Sequence, residues 1–133
     1  MPDFTYKGKL YFNPVEFALD WIGGSWKMPI LWRLREKTLR YSEIKKTLPH
    51  ISDKMLSASL RDLEANGLVH REVFAVVPPK TEYKLTDLGL KTIPVIQVLR
   101  EFGLELMKHE GIETKAEIQK LFPKKLKKRK TTK

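Results

Sequence analysis

Residues 52 to 64, SDKMLSASLRDLE, restrict the fold more than any other stretch, because they make sense only as a helix with two unlike faces. At about 100° per residue, Leu56, Leu60 and Leu63 gather on one side, while Lys54, Ser57, Ala58 and Arg61 gather nearly opposite. The leucine side requires a core. The other side carries two cations and two small residues, which suits close approach to a surface rich in acceptors and negative charge. Ser52 is placed to cap this helix, and Asn66-Gly67 can close it in the left-handed conformation. Just upstream, TLRY (38 to 41) can pair as a short strand and Ser42 can cap SEIKKTL, a brief helix with Ile44 and Leu48 inward. PHI makes the turn. Two short helices joined by a tight turn, the second with a polar outer face, form the pattern of a helix-turn-helix.

Beyond Leu68, VHREVFAV (69 to 76) and TEYKLT (81 to 86) are rich in β-branched and aromatic residues and read as a hairpin. Pro78-Pro79 would stiffen its tip and leave Lys80 projecting. A hairpin directly after a helix-turn-helix is a wing. The fold class is therefore mainly α with a small β-hairpin, a winged helix-turn-helix (α+β) with extra N- and C-terminal dimerisation helices.

The flanking segments supply those extra helices. In NPVEFALDWIGG (13 to 24), Val15, Ala18, Leu19 and Ile22 follow the spacing of an amphipathic helix, with Asn13 as cap and Pro14 in the first position. Ser25 would cap a second helix carrying Trp26, Ile30 and Leu34 on one face. Both helices also hold a surplus apolar pair, Phe17 with Trp21 and Met28 with Trp32. Either another segment of the same chain or a partner subunit must cover these. From Thr86 a long helix is expected, with Leu88, Val95, Leu99, Phe102 and Leu106 near one stripe and a kink at Pro94. That stripe is wider than a small domain needs, so packing between subunits is its natural use.

Charge and composition narrow the function. The net charge is +10, but KKLKKRKTTK at the C-terminus contributes +7, which leaves +3 on residues 1 to 123. Such a tail is expected to be disordered and to hold polyanions without sequence preference. The chain has no cysteine, so disulfides, thiolate metal sites and thiol redox switching are excluded. No run approaches the roughly 20 apolar residues that span a bilayer, no signal peptide is evident, and the expected location is the prokaryotic cytoplasm or nucleoid. His50, His70 and His109 are far apart and lack metal-ligand spacing. No phosphate loop or nucleophile elbow is present, so neither catalysis nor a cofactor is expected. The expected division is an N-terminal arm (1–12), a winged helix-turn-helix domain with dimerisation helices (13–109), a short C-terminal helix (110–123) and a disordered basic tail (124–133).

Three segments in order carry a resemblance: ALDWIGGSWKMPILWRL (18 to 34), LRYSEIKKTLPHISDKMLSASLRDLEANGLVHR (39 to 71) and VPPKTEYKLTDLG (77 to 89). Together they closely resemble the HxlR family of transcription regulators, within the wider MarR/PadR-like group, over about residues 13 to 108. The resemblance implies a dimer formed through the first and long later helices and a pseudo-palindromic operator. Many members carry a cysteine just before the Pro-Val of the first helix, and some use it as a sensor; here that position is Asn13.

With a helix in the major groove, its first turns face base edges. Ser52, Asp53, Lys54, Ser57, Ala58 and Arg61 are then the DNA-contact set, with Lys54 donating to guanine, Ala58 touching a thymine methyl and Arg61 reaching a phosphate. Arg40, Lys45 and Lys46 would clamp the backbone, and Lys80 would approach the adjacent groove. Phe17, Trp21, Met28, Trp32, Val95, Leu99, Phe102 and Leu106 are candidates for a dimer interface or effector pocket. The leading expectation is a homodimeric, sequence-specific regulator of double-stranded DNA, with room for a small-molecule effector and no membrane partner. The alternatives are a nonspecific nucleic-acid or chromatin-associated protein driven by the tail, and a winged-helix module that binds protein.

Overall fold

The computed structural model describes residues 3 to 112. The chain divides after Ile96 into two units. The first opens with a hairpin, β1 (Phe4–Tyr6) and β2 (Lys9–Tyr11), whose register pairs Phe4 with Tyr11 and Tyr6 with Lys9. Its two-residue turn, Lys7-Gly8, has positive φ at both positions, the geometry that matches strand twist in tight hairpins. Helices α1 (Pro14–Ile22) and α2 (Lys27–Arg33) follow, then β3 (Leu39–Arg40), α3 (Tyr41–Thr47) and α4 (Asp53–Ala65). Strands β4 (Val69–Phe74) and β5 (Lys80–Leu85) form the wing, and β3 joins the free edge of β5 to give the order β3-β5-β4. Helix α5 (Asp87–Leu90) leads to α6 (Thr92–His109), which runs on into the second unit.

The core of the first unit follows the apolar periodicity. Ile30 and Leu31 of α2, Ile44 of α3 and Leu56, Leu60 and Leu63 of α4 are fully buried, together with Leu68 and Val69 at the start of the wing. Asn13 caps α1 by accepting from the Glu16 amide at 2.8 Å, and Ser52 caps α4 by accepting from the Met55 amide at 3.1 Å. Helix α4 closes at Asn66 and Gly67, of which only Gly67 has positive φ.

Several expectations are corrected. Ser25 and Ser42 are not caps. The cap positions are Trp26 and Arg40, and Glu43 takes over at α3 by accepting from the Arg40 amide at 2.8 Å. The expected long helix from Thr86 is interrupted at Lys91. Gly89 lies so close to Leu68 that a Cβ there would sit 2.0 Å from the Leu68 carbonyl oxygen, and the Thr92 hydroxyl donates to the Gly89 carbonyl at 2.6 Å. Pro94 consequently falls in the first turn of α6, where its missing amide would have had no intrahelical acceptor.

The apolar faces of α1 are the reverse of a simple reading. Ile22 is buried, but Val15 and Leu19 of the same stripe are 68% and 51% exposed. The surplus face is the covered one: Phe17 packs edge-on against Phe4, Tyr6 and Tyr11 with ring centroids 5.0 to 5.4 Å apart, and Trp21 lies against Tyr6 and Phe17. The N-terminal arm is thus a structured cover. It is pinned by Asp20, whose Oδ2 accepts from the Tyr11 hydroxyl at 2.6 Å and from Lys9 Nζ at 2.7 Å. On α2 both faces are used: Trp32 is buried beside Ile30 and Leu34, Met28 is half-buried, and the Arg35 guanidinium lies 4.1 Å over the Trp32 ring. The expected helix ETKAEIQKLF and the basic tail lie outside the described residues.

Candidate nucleic-acid interface

Helix α4 buries its leucine stripe against α2 and the wing base, and this sets which residues face outward. Ser52, Asp53, Lys54 and Arg61 are exposed, and Ser57 and Ala58 are half-exposed. Arg40 and Lys46 are exposed as well, and Lys45 is half-buried.

The start of α4 is tied to α3 by a network centred on Tyr41, a residue that sequence reasoning had not selected. Asp53 Oδ1 accepts from Lys45 Nζ at 2.8 Å and from the Tyr41 hydroxyl at 2.9 Å. The Tyr41 oxygen also lies 3.3 Å from Ser57 Oγ. A phenol has one proton to give; with it committed to the carboxylate, Ser57 is the donor in the second bond. The Lys45 ammonium, then the Tyr41 hydroxyl, hold the Asp53 carboxyl below the usual carboxylate range. Asp53 therefore remains ionised, occupies Lys45 and orients Tyr41. Of the residues expected to touch DNA, Lys45, Asp53 and Ser57 are thus brought together through Tyr41. Lys54, at the second position of α4, is left as an outward cation.

The wing departs from expectation at Lys80. It begins β5 instead of projecting from the tip, with its ammonium 4.8 Å over the Phe74 ring and 3.6 Å from Glu82. A half-buried aliphatic stem and a facing ring are available on the strand, so the side chain folds back onto them. The tip itself is apolar, Ala75 to Pro79, with Val77 fully exposed. Arg40 sits opposite Glu82 across β3 and β5.

A second feature is a cleft of about 450 Å3 beside the outer face of α4. Ser57, Arg61 and Glu64 line it from the helix, Arg71 and Tyr83 from the wing strands, and Tyr41 from α3. Arg71 and Tyr83 are directly opposed across β4 and β5, which puts them on one face of the sheet. Tyr83 is 7% exposed and forms part of the floor.

The histidines are all exposed. His70 Nε2 lies 3.4 Å from Glu72 and His109 Nδ1 lies 3.0 Å from Glu110, both on the surface. No helix among the described residues is long and apolar enough to cross a membrane.

With a helix-turn-helix, a wing and a polar outward α4 in place, comparison with known proteins is decisive. The model of the HxlR-like helix-turn-helix matches residues 21–111. The chain belongs to the HxlR family. An uncharacterized HTH-type transcriptional regulator of Methanothermobacter thermautotrophicus is 43% identical over 100 residues, covering 75% of this chain and 76% of the relative. The HTH-type regulator YybR of Bacillus subtilis is 44% identical over 90 residues, 68% and 72% of the two chains. Among solved structures, the redox regulator HypR in its oxidized form superposes with a TM-score of 0.67 at 43% identity, covering 70% of this chain and 96% of HypR. The HTH-type regulator ytcD gives 0.69 at 39% identity, covering 73% and 99%. This HxlR-family protein is a winged-helix transcriptional regulator and not an enzyme. It differs from a thiol-based redox sensor in one plain respect: its sequence contains no cysteine.

Proposed function

We propose that the protein acts as a homodimer that binds a specific operator in double-stranded DNA, in the prokaryotic cytoplasm or nucleoid, with α4 in the major groove and the wing against the neighbouring backbone. The observation that carries this reading is the division of α4, whose leucines are buried while Lys54, Ser57, Ala58 and Arg61 turn outward. Lys54 is assigned to base edges and Ala58 to apolar contact, since cations in the groove discriminate guanine and small apolar groups meet the thymine methyl. Ser52, Arg40 and Lys46 are assigned to phosphates, which fix register without reading sequence. Asp53 and Lys45, occupied with one another, position the helix.

For dimerisation we propose the exposed stripe of α6, Val95, Leu99, Phe102 and Leu106, each about half exposed. Val15 and Leu19 of α1 offer a second apolar face of the same kind. Phe17 and Trp21 already have partners in the N-terminal hairpin, which narrows the proposed interface to the uncovered residues. Thiol chemistry is not a route for an effector, because the sequence contains no cysteine.

The test is binding of the full chain to duplexes tiled across its own upstream region and to scrambled controls, at several salt concentrations. One tile bound about a thousandfold more tightly than its scramble, with that preference lost in Lys54→Ala, is the expected result. Equal and steeply salt-dependent binding to every duplex would mean that the tail supplies the affinity.

A further inference from the structure

The cleft between α4 and the wing is lined by two arginines from different elements. Arg61 comes from the helix stripe Ser57-Arg61-Glu64, whose spacing of four and three residues keeps all three on one side of α4. Arg71 comes from β4, on the sheet face it shares with Tyr83. Both arginines are exposed, and neither has a hydrogen-bond or ion-pair partner among the described residues. This sets them apart from Lys45, which is bound to Asp53, and Lys80, which is bound to Glu82. Tyr41 and Ser57 bring hydroxyls to the same cleft, whereas Glu64 is the one carboxylate that lines it.

We infer that this cleft seats a phosphate group of the DNA backbone between Arg61 and Arg71. The inference rests on the DNA reading above and adds a wall to it. Two forked guanidiniums with hydroxyls beside them match the oxygens of a phosphodiester, and 450 Å3 admits the flanking sugars as well as the ion. The position is also apt: Ser57 and Arg61 belong at once to the outward face of α4 and to the cleft. A phosphate lodged there is held by the recognition helix and the wing together, so it fixes the helix at one depth and one angle in the groove. Glu64 opposes the anion and limits how strongly arbitrary polyanions are held.

The experiment uses the full chain and fluorescence anisotropy on the tightest-binding tile and its scramble, across a salt series. Arg71→Ala should weaken both duplexes by the same factor, about tenfold, and lower the slope of log affinity against log salt by about one. Arg71→Lys should keep most of the slope. Glu64→Gln should move the other way, tightening both duplexes. A duplex with a single uncharged methylphosphonate at the seated position should bind wild type and Arg71→Ala equally, and walking that substitution along the backbone locates the phosphate.

Unchanged affinity and slope in a folded Arg71→Ala protein would overturn the seat while leaving the DNA reading intact. So would a loss confined to one duplex, since that marks a base contact. Wild-type protein that binds no duplex removes the DNA reading and the seat together. A free anion is the other source of the same chemistry. Inorganic phosphate, matched against chloride at equal ionic strength, should not shift the amide resonances around Arg61 and Arg71 at millimolar concentration. If it does, and no methylphosphonate position silences Arg71→Ala, the cleft is a free-phosphate site and the backbone assignment is wrong.

Discussion

Helices α1 and α4 are both amphipathic, yet they resolve that pattern in opposite ways. In α4 the regular leucine stripe is the buried one, with Leu56, Leu60 and Leu63 at or near zero exposure. In α1 the regular stripe is left largely in solvent at Val15 and Leu19, and the aromatic pair outside it is covered by the N-terminal hairpin. Periodicity identifies the face of a helix that must lose water. It does not identify what removes the water: the chain's own core does so in α4 and a local strap on one side of α1, while the other side of α1 stays exposed at Val15 and Leu19.

That contrast can be broken first at its strongest point. Leu60→Ala should lower stability by about 2–5 kcal/mol, the usual range for deleting a buried leucine, read as a fall in the urea midpoint. A change below 0.5 kcal/mol would mean that the α4 stripe is not core. Leu19→Glu should do the reverse. Its side chain is half exposed, so unfolding at low protein concentration should shift by no more than about 0.5 kcal/mol, while self-association measured by sedimentation should weaken at least about tenfold. An unaltered dissociation constant would remove α1 from the interface. Leu19 is a cleaner probe than Trp21, because a charge at Trp21 also disrupts the contacts with Tyr6 and Phe17.

Two smaller effects sharpen the picture of the strap. Phe17→Ala removes the ring that meets Phe4, Tyr6, Tyr11 and Trp21, and should cost at least about 2 kcal/mol, since each aromatic pair contributes about 0.5–1.5 kcal/mol beyond its area. Amide exchange in β1 and β2 should rise with little change in α4. The pH dependence is smaller still. Lys9, then Tyr11, lowers the Asp20 carboxyl below its ordinary value of 3.8, so its contribution is present above about pH 4 and lost as pH falls through the depressed value. Hydrogen bonding to Asp20 raises Lys9 and Tyr11 above 10.5 and 10.0, so their contributions are complete below those values and lost as pH rises through the raised ones. Hairpin protection, corrected for intrinsic exchange, should be level between about pH 4 and 10. Asp20→Asn should lower the plateau and flatten the acid limb.

Much of the fold was legible because it is local. The caps Asn13 and Ser52, the leucine spacing of α4 and the two strand patterns of the wing all depend on residues a few positions apart. What was missed depends on distance along the chain. Tyr41 meets Asp53 and Ser57 across 12 and 16 positions, and nothing in RYSEI marks it for that role. Arg71 gains its meaning only from the register that sets it opposite Tyr83 and from α4 lying above both. Lys80 was expected to project because the prolines before it suggested a tip, but a lysine next to a half-buried ring has a better place to lie. The hairpin at residues 4 to 11 has strands of three residues, too short for alternation to register.

The base of the wing deserves a mechanical description. The Thr86 hydroxyl donates to the Gly67 carbonyl at 2.6 Å and accepts from the Gly89 amide at 3.0 Å, while the Thr86 amide donates to the Leu68 carbonyl at 3.1 Å. One threonine thus rivets the exit of α4 to the entry of α5, and Gly89 lets the two backbones touch. The wing is a cantilever clamped at its root. A load applied at its apolar tip cannot be dissipated by a loose joint where the strands begin; it is delivered as torque to the end of α4 on one side and to α5 on the other. A push on the wing is therefore felt at the C-terminal end of α4, and a rotation of α5 reaches the wing by the same rivet.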